Sequence, residues 1–370
     1  MIYFDNGATG GFKPDGVISA TQAALKTCAN PGRSGHKLSL ACAERVYAVR
    51  DQLREFFGAP SADRVVFTKN CTEALNIALL GTLNPGDKVV STVAEHNSVL
   101  RPLNYLQGKG VRVELAPLTP HGDIDESALI AASAGARAVV VTLASNVTGT
   151  APDIARIRAG IPKETLLICD GAQACGHEAV DIGRQGIDAL AVAGHKGMLG
   201  IQGSGALVFS QRFNPRPVTY GGTGSESIKL TMPDFYPDML ESGTLSYPAI
   251  ISLGEGTLYL KMHMHENRDR TAYLTEMVIN GLSSVEGVRL YSKPNHFGIV
   301  AFSLKNMQSE MIAYRLSEEY SICVRGGLHC APLMHRALGS DGLVRATLSA
   351  FNNEREVDCF LRAVEKLAGE

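Results

Sequence analysis

Short apolar runs alternate along this chain with stretches of helical periodicity, and most of the runs are closed by a polar side chain. Arg64-Val-Val-Phe67, Lys88 to Thr92, the valine- and alanine-rich Ala136 to Ala144, Leu166 to Cys169 and Asp188 to Ala193 have the length and content of strands. Apolar residues on both side-chain phases mark strands covered on both faces, because a half-solvated strand would alternate. Between them, Leu38 to Phe57 and the later part of Thr68 to Leu80 carry apolar residues at helical spacing. The pattern predicts an α/β domain with a mostly parallel sheet sandwiched by helices. In such sheets ligands bind beyond the carboxyl ends of the strands.

The residues at those ends are Thr72, His96, Asn146, Asp170 and Lys196. A solvated loop edge explains each singly; together they predict one polar cleft at one end of the sheet. Lys196 is the centre of the set, placed just past a strand and flanked by Gly194 and Gly197, which let backbone approach a bound group. Threonine and asparagine ahead of the helix in Thr68 to Leu80 suit its N-cap, where exposed amides bind phosphate well.

From about Ser252 the pattern changes to a long helix, Leu253 to Leu282, then strands at Val288 to Leu290, Ile299 to Leu304 and Val344 to Leu348, with helices at Ser309 to Tyr320 and Glu354 to Ala368. We expect a large domain over 14–251 and a smaller α+β domain over 252–370 joined by the N-terminal segment 1–13. A chain of 370 residues with 45% hydrophobic content can bury cores of that size. Its net charge of −2 offers no basic stripe for nucleic acid. Without a secretory pattern at Met1 or a run long enough to span a bilayer, we expect no membrane association and a cytoplasmic location. The eight cysteines lack the spacing of a zinc site, and most are expected to be reduced and buried.

A lysine, a carboxylate, a flat imidazole and a phosphate cradle together suit pyridoxal phosphate. Its aldehyde condenses with a lysine amine, its ring nitrogen stays protonated beside a carboxylate, and its ring lies against an aromatic side chain. On that reading Lys196 forms the imine, Asp170 holds the ring nitrogen, His96 stacks on the ring and the helix start at Cys71 and Thr72 holds the phosphate.

The stretches Asp170-Gly-Ala-Gln173, Gly194-His195-Lys196 and Glu95-His96 resemble those of fold-type I pyridoxal-phosphate enzymes of the class V aminotransferase family, over nearly the whole chain. Val324-Arg325-Gly-Gly-Leu-His329-Cys330-Ala-Pro332 looks like the Arg-x-Gly-His-His-Cys-Ala motif of group II cysteine desulfurases, which include selenocysteine lyase-like members. The resemblance implies conversion of L-cysteine to L-alanine, with sulfur taken up by Cys330 as a persulfide. It also implies a substrate-carboxylate arginine at Arg345, a pyridoxal hydroxyl contact at Gln173 and a homodimer whose partner lends Thr244 to the phosphate. A sulfur-acceptor protein is the implied partner. A selenocysteine lyase, or an aminotransferase or epimerase in which Cys330 is incidental, is the alternative.

The sequence departs from the family pattern at Ala193, where a phosphate-binding serine is common, at Cys71, where threonine is usual, and at Leu328, which replaces the first histidine of the pair. Phosphate binding then leans on Thr72, His195 and Thr244. Asn146, Arg325 and His36 are expected on the substrate side, and Arg325 and His329 are expected to favour the Cys330 thiolate. His329, Cys330 and His335 fit no familiar zinc pattern, so no metal is expected.

Overall fold

The computed structural model describes residues Met1–Glu370. The chain opens with β1 (Ile2–Tyr3), α1 (Asp15–Lys26) and α2 (Lys37–Phe57), the last closed by Gly58 at a φ of 65°. Strands and helices then alternate: β2 (Val65–Thr68), α3 (Cys71–Leu80), β3 (Lys88–Thr92), α4 (Asn97–Gln107), β4 (Arg112–Ala116), α5 (Glu126–Ala132), β5 (Ala138–Thr142), α6 (Ile154–Gly160), β6 (Leu166–Asp170), α7 (Ile182–Gln185), β7 (Ala189–Ala193) and β8 (Gly205–Phe209). These strands form one seven-stranded sheet in the order β2-β8-β7-β6-β5-β3-β4. β3 to β7 run parallel and β8 runs antiparallel to both of its neighbours.

The predicted burial of both faces is met residue by residue. Val139 and Val141 of β5 enter the core under α2 and α8, while Ala138 and Val140 enter the core under α3 and α4. The valine-rich strand therefore has no solvated side, and its polar chemistry is confined to its end.

A long helix, α8 (Tyr247–Ser283), starts earlier than the Leu253 read from periodicity, because Ser246 and a proline in the first turn set its beginning. Its first part joins the core with α2, and Leu274, Val278 and Leu282 at its far end join a separate core. Around that second core stand β9 (Val288–Leu290), β10 (Ile299–Leu304), α9 (Ser309–Tyr320), β11 (Ile322–Cys323), β12 (Arg325–Gly327), α10 (Pro332–Ala337), whose Met334 joins the first core instead, β13 (Leu343–Thr347) and α11 (Glu354–Ala368). Its four-stranded antiparallel sheet has the order β12-β13-β10-β9, and β1 pairs parallel with β11. No helix is long and apolar enough to cross a membrane.

All eight cysteines are free; Cys42, Cys71, Cys169 and Cys175 are buried as expected, whereas Cys28, Cys330 and Cys359 are exposed and Cys323 is half-buried.

Candidate active site

The carboxyl ends of β3, β5, β6 and β7 meet the start of α3 and the edge of the small sheet around a polar cavity of about 280 Å³. Cys71, Thr72, His96, Asn146, Asp170, Gln173, His195, Lys196, Arg325 and Arg345 all line it. Most of them lie just past strand ends of the large sheet or open a helix at that edge, while Arg325 and Arg345 reach the cavity from the small sheet.

Asp170 ends β6 almost fully buried, and its Oδ1 accepts from the Cys71 thiol at 3.2 Å and from the Ala172 amide at 2.9 Å. Burial, reinforced by the Asp170 carboxylate, pushes the Cys71 thiol well up, so it stays a donor. The Cys71 side chain thus serves the aspartate. At α3 the Asn70 side chain caps the Glu73 amide, and the first intrahelical bond is Ala74 N–H to Asn70 O, so the amides of Cys71 and Thr72 precede the hydrogen-bonded ladder.

Lys196 follows β7 through Gly194, where a Cβ would lie 2.2 Å from Ser204 Oγ, so only glycine permits this turn. Burial lowers the Lys196 ammonium below its ordinary value, against the pull of Asp170 and with the help of Arg345 and Arg325. A more readily neutral amine is what condensation with an aldehyde requires. His96 caps α4: its Nδ1 accepts from the Ser98 amide at 3.0 Å, which leaves the proton on Nε2. Burial holds both His96 and His195 down to about 4, so both rings are neutral at pH 7.

Arg345 is 1% exposed, with Nη1 donating to Asn146 O at 2.9 Å and Nη2 lying 3.0 Å from Asp5 Oδ1. Its Nε is buried without a partner. On the small sheet Arg345 stands opposite Arg325, whose Nη2 lies 4.0 Å from Cys330 Sγ. Cys330 is exposed and does not line the cavity itself; Arg325 connects the two.

Two expectations change, at His36 and His329. His36 does not line the cavity; it is exposed and its Nδ1 is spent capping α2 by accepting from Ser39 N–H. Thr244 is likewise exposed and outside the cavity of its own chain. His329 does not assist the thiol: it is 3% exposed, its Nε2 is 3.0 Å from Leu343 O, and burial holds it down to about 2, so it is uncharged.

The N-terminal turn, which reads as an ordinary entry loop, is part of the site. Asp5 pairs with Arg345, Gly7 O accepts from Gln173 Nε2 at 3.1 Å, Thr9 Oγ1 is 3.1 Å from His195 Nδ1, and Lys13 Nζ donates to His195 O at 3.2 Å. Only the density of turn formers in Asp5-Asn6-Gly7 hinted at close backbone approach; a Cβ on Gly7 would lie 3.2 Å from Arg345 Cζ. Glu95, beneath the cavity, has Oε1 bonded to Thr92 Oγ1 and Thr142 N, while burial raises its carboxyl to about 8 and keeps it neutral.

This donor set can hold an anion at a helix start, pair a protonated ring nitrogen with a buried carboxylate and present an amine to a carbonyl. It also offers a guanidinium for an α-carboxylate. Residues 2–360 match the aminotransferase class-V family model, and the chain belongs to that family, whose members are enzymes. It is 33% identical to a probable cysteine desulfurase of Methanothermobacter thermautotrophicus, over all of this chain and 95% of the relative. Among solved structures, it superposes on an apo cysteine desulfurase of Thermococcus onnurineus with a TM-score of 0.91 at 31% identity, over all of this chain and 94% of that one. A cysteine desulfurase of Escherichia coli gives a TM-score of 0.87 at 26% identity, over 98% and 94% of the two chains.

Proposed function

We propose that this chain is a pyridoxal-phosphate-dependent cysteine desulfurase, converting L-cysteine to L-alanine and receiving the sulfur on Cys330. The observation that carries the reading is that Arg325 joins the Lys196 and Asp170 cavity to the exposed Cys330 thiol. The residues fit the cofactor: Asp170 has one oxygen saturated and stays an acceptor in the floor, the α3 start supplies amides, and Lys196 supplies an amine with a lowered pKa. When bound, the cofactor supplies an electron sink for the substrate's Cα and Cβ carbons.

Around it, each residue has a task. Arg345 and Asn146 take the substrate carboxylate, which fixes Cα over the cavity floor. Lys196 would hold the proton taken from Cα. Asp170 would hold the protonated ring nitrogen, and His96 would lie against the ring as a neutral imidazole. Cys330, as thiolate beside Arg325, attacks the substrate sulfur; the Cβ–S bond breaks, its electron pair leaves with Cβ, and an S–S bond forms on Cys330. Protonation of Cβ and return of the proton held on Lys196 to Cα complete alanine, and a thiol of an acceptor protein then takes the terminal sulfur.

Thr244 and His36 lie on exposed segments joined by Arg33, whose Nη2 donates to Gly222 O and Gly243 O. This surface is where a second copy docks in our reading, carrying Thr244 to the partner's phosphate site. Incubating the loaded enzyme with L-cysteine and excess dithiothreitol, which reduces the persulfide and frees its outer sulfur as sulfide, yields sulfide and alanine in equal amounts, and Cys330→Ala loses both; full-rate release by that variant excludes the thiol mechanism.

A further inference from the structure

Cys330 stands on a strained turn. His329 and Cys330 both have left-handed backbone, with φ of 49° and 58°, a conformation costing a non-glycine residue roughly 1–2 kcal/mol. Such a turn persists only where its surroundings over-determine it. Three ties are visible. Asn146 Nδ2 donates to His329 O at 2.7 Å, Asn97 N–H donates to Cys330 O at 2.7 Å, and the His329 ring reaches Leu343 O on β13. The ring is the only side chain of the turn that reaches inward.

The ring's orientation leaves one atom unexplained. Because Nε2 faces a carbonyl, it must carry the proton, and Nδ1 is then a bare acceptor, buried with no partner. An unmet buried acceptor costs about 1–3 kcal/mol. The ring centre of His335 is 5.6 Å away, His335 is 1% exposed, and its Nε2 is also buried without a partner. Its Nδ1 is 3.5 Å from Ser340 Oγ, too long a contact to demand a proton, so the proton is free to sit on Nε2. Burial lowers both imidazoles, so each is neutral and offers one donor and one acceptor.

We propose that His335 is a positioning residue: a small rotation of the two rings from the unbonded arrangement seen here brings its Nε2–H onto His329 Nδ1, which locks that ring onto Leu343 O and so holds the left-handed turn that presents Cys330. The bond so formed satisfies both orphaned nitrogens at once and ties α10 to β13, the strand of Arg345. This rests on Cys330 being the nucleophile, but its test does not.

The test is the iodoacetamide alkylation rate of Cys330 in the loaded full-length protein, mapped by mass spectrometry, with exposed Cys28 and Cys359 as internal references. His335→Phe slows Cys330 by about tenfold, the worth of one buried hydrogen bond, while both references keep their rates. It lowers kcat for sulfide release by a similar factor with KM for cysteine within about twofold, because the carboxylate site is untouched. His335→Gln, whose amide can donate, restores both. An unchanged Cys330 rate in His335→Phe, or no rescue by Gln, overturns the proposal. If His335→Phe does not fold, Gln is compared with the shorter Asn: a faster Cys330 in Gln supports the pair and equal rates overturn it. Failure of the desulfurase reading is seen separately, as full sulfide and alanine release by Cys330→Ala.

Discussion

Arg345 Nη2 lies 3.0 Å from Asp5 Oδ1, joining residues at opposite ends of the chain. The guanidinium is almost fully buried with Arg325 as a like-charged neighbour, so Asp5 is the countercharge that makes its burial tolerable. The same contact fixes the planar fork that, in the proposed function, meets the substrate carboxylate. Asp5→Ala lowers stability by about 1.5–3 kcal/mol, read by urea unfolding, and raises KM for cysteine more than it lowers kcat. A variant with wild-type stability and KM contradicts this role.

Arg325 is assigned to the thiol. Its Nη2 lies 4.0 Å from Cys330 Sγ. Arg325→Gln therefore slows alkylation of Cys330 at pH 7 relative to the exposed Cys28 and Cys359, and an unchanged relative rate contradicts the assignment. His329→Gln alters Cys330 only through the turn, since the native ring is uncharged.

Glu95 gives a pH signature. Its carboxyl is raised from 4.5 to about 8 by burial, so between those values the unfolded chain releases a proton that the folded protein keeps. Stability conferred by the neutral acid is full below 4.5 and falls by about 1.4 kcal/mol per pH unit as pH rises toward 8. Glu95→Gln removes this slope, measured as urea midpoints from pH 5 to 8; an unchanged slope means Glu95 ionises in the native state.

The buried pair of Arg50 and Glu241 anchors the segment leading to Thr244. It is bidentate, at 2.7 and 2.9 Å, and Glu241 Oε1 also accepts from Phe67 N. Removing one partner leaves the other charge buried, so Glu241→Ala costs about 3–5 kcal/mol in denaturant unfolding.

Much of this architecture was legible in the residues. Lys88 to Thr92 and Ile299 to Leu304 are strands at the residues read from hydrophobicity, because packing on both faces leaves no other use for such runs. Lys196, Asp170, Asn146 and Arg345 meet at one cavity because each closes a strand or sits on one. Periodicity is blind to partners far along the chain, and so the Asp5 turn looked like an entry loop although Gln173, His195 and Arg345 all depend on it. The Arg325–Gly327 stretch reads as glycine-rich loop, yet it is β12: a Cβ on Gly326 would lie 2.4 Å from Ser309 O, so glycine there admits α9 against the strand. His329 next to a cysteine reads as a thiolate partner; only its burial and its bond to Leu343 O show that it anchors the turn.

Two lysines near the site, Lys13 and Lys196, compete as the amine that bonds the proposed cofactor. Burial lowers Lys13 to about 8 and it reaches His195 O, but only Lys196 stands on the strand end facing Asp170. Reducing the loaded protein with borohydride and mapping the modified peptide by mass spectrometry should place the label on Lys196 alone, with Lys196→Ala unlabelled. Label on Lys13, or on no lysine, would contradict the account.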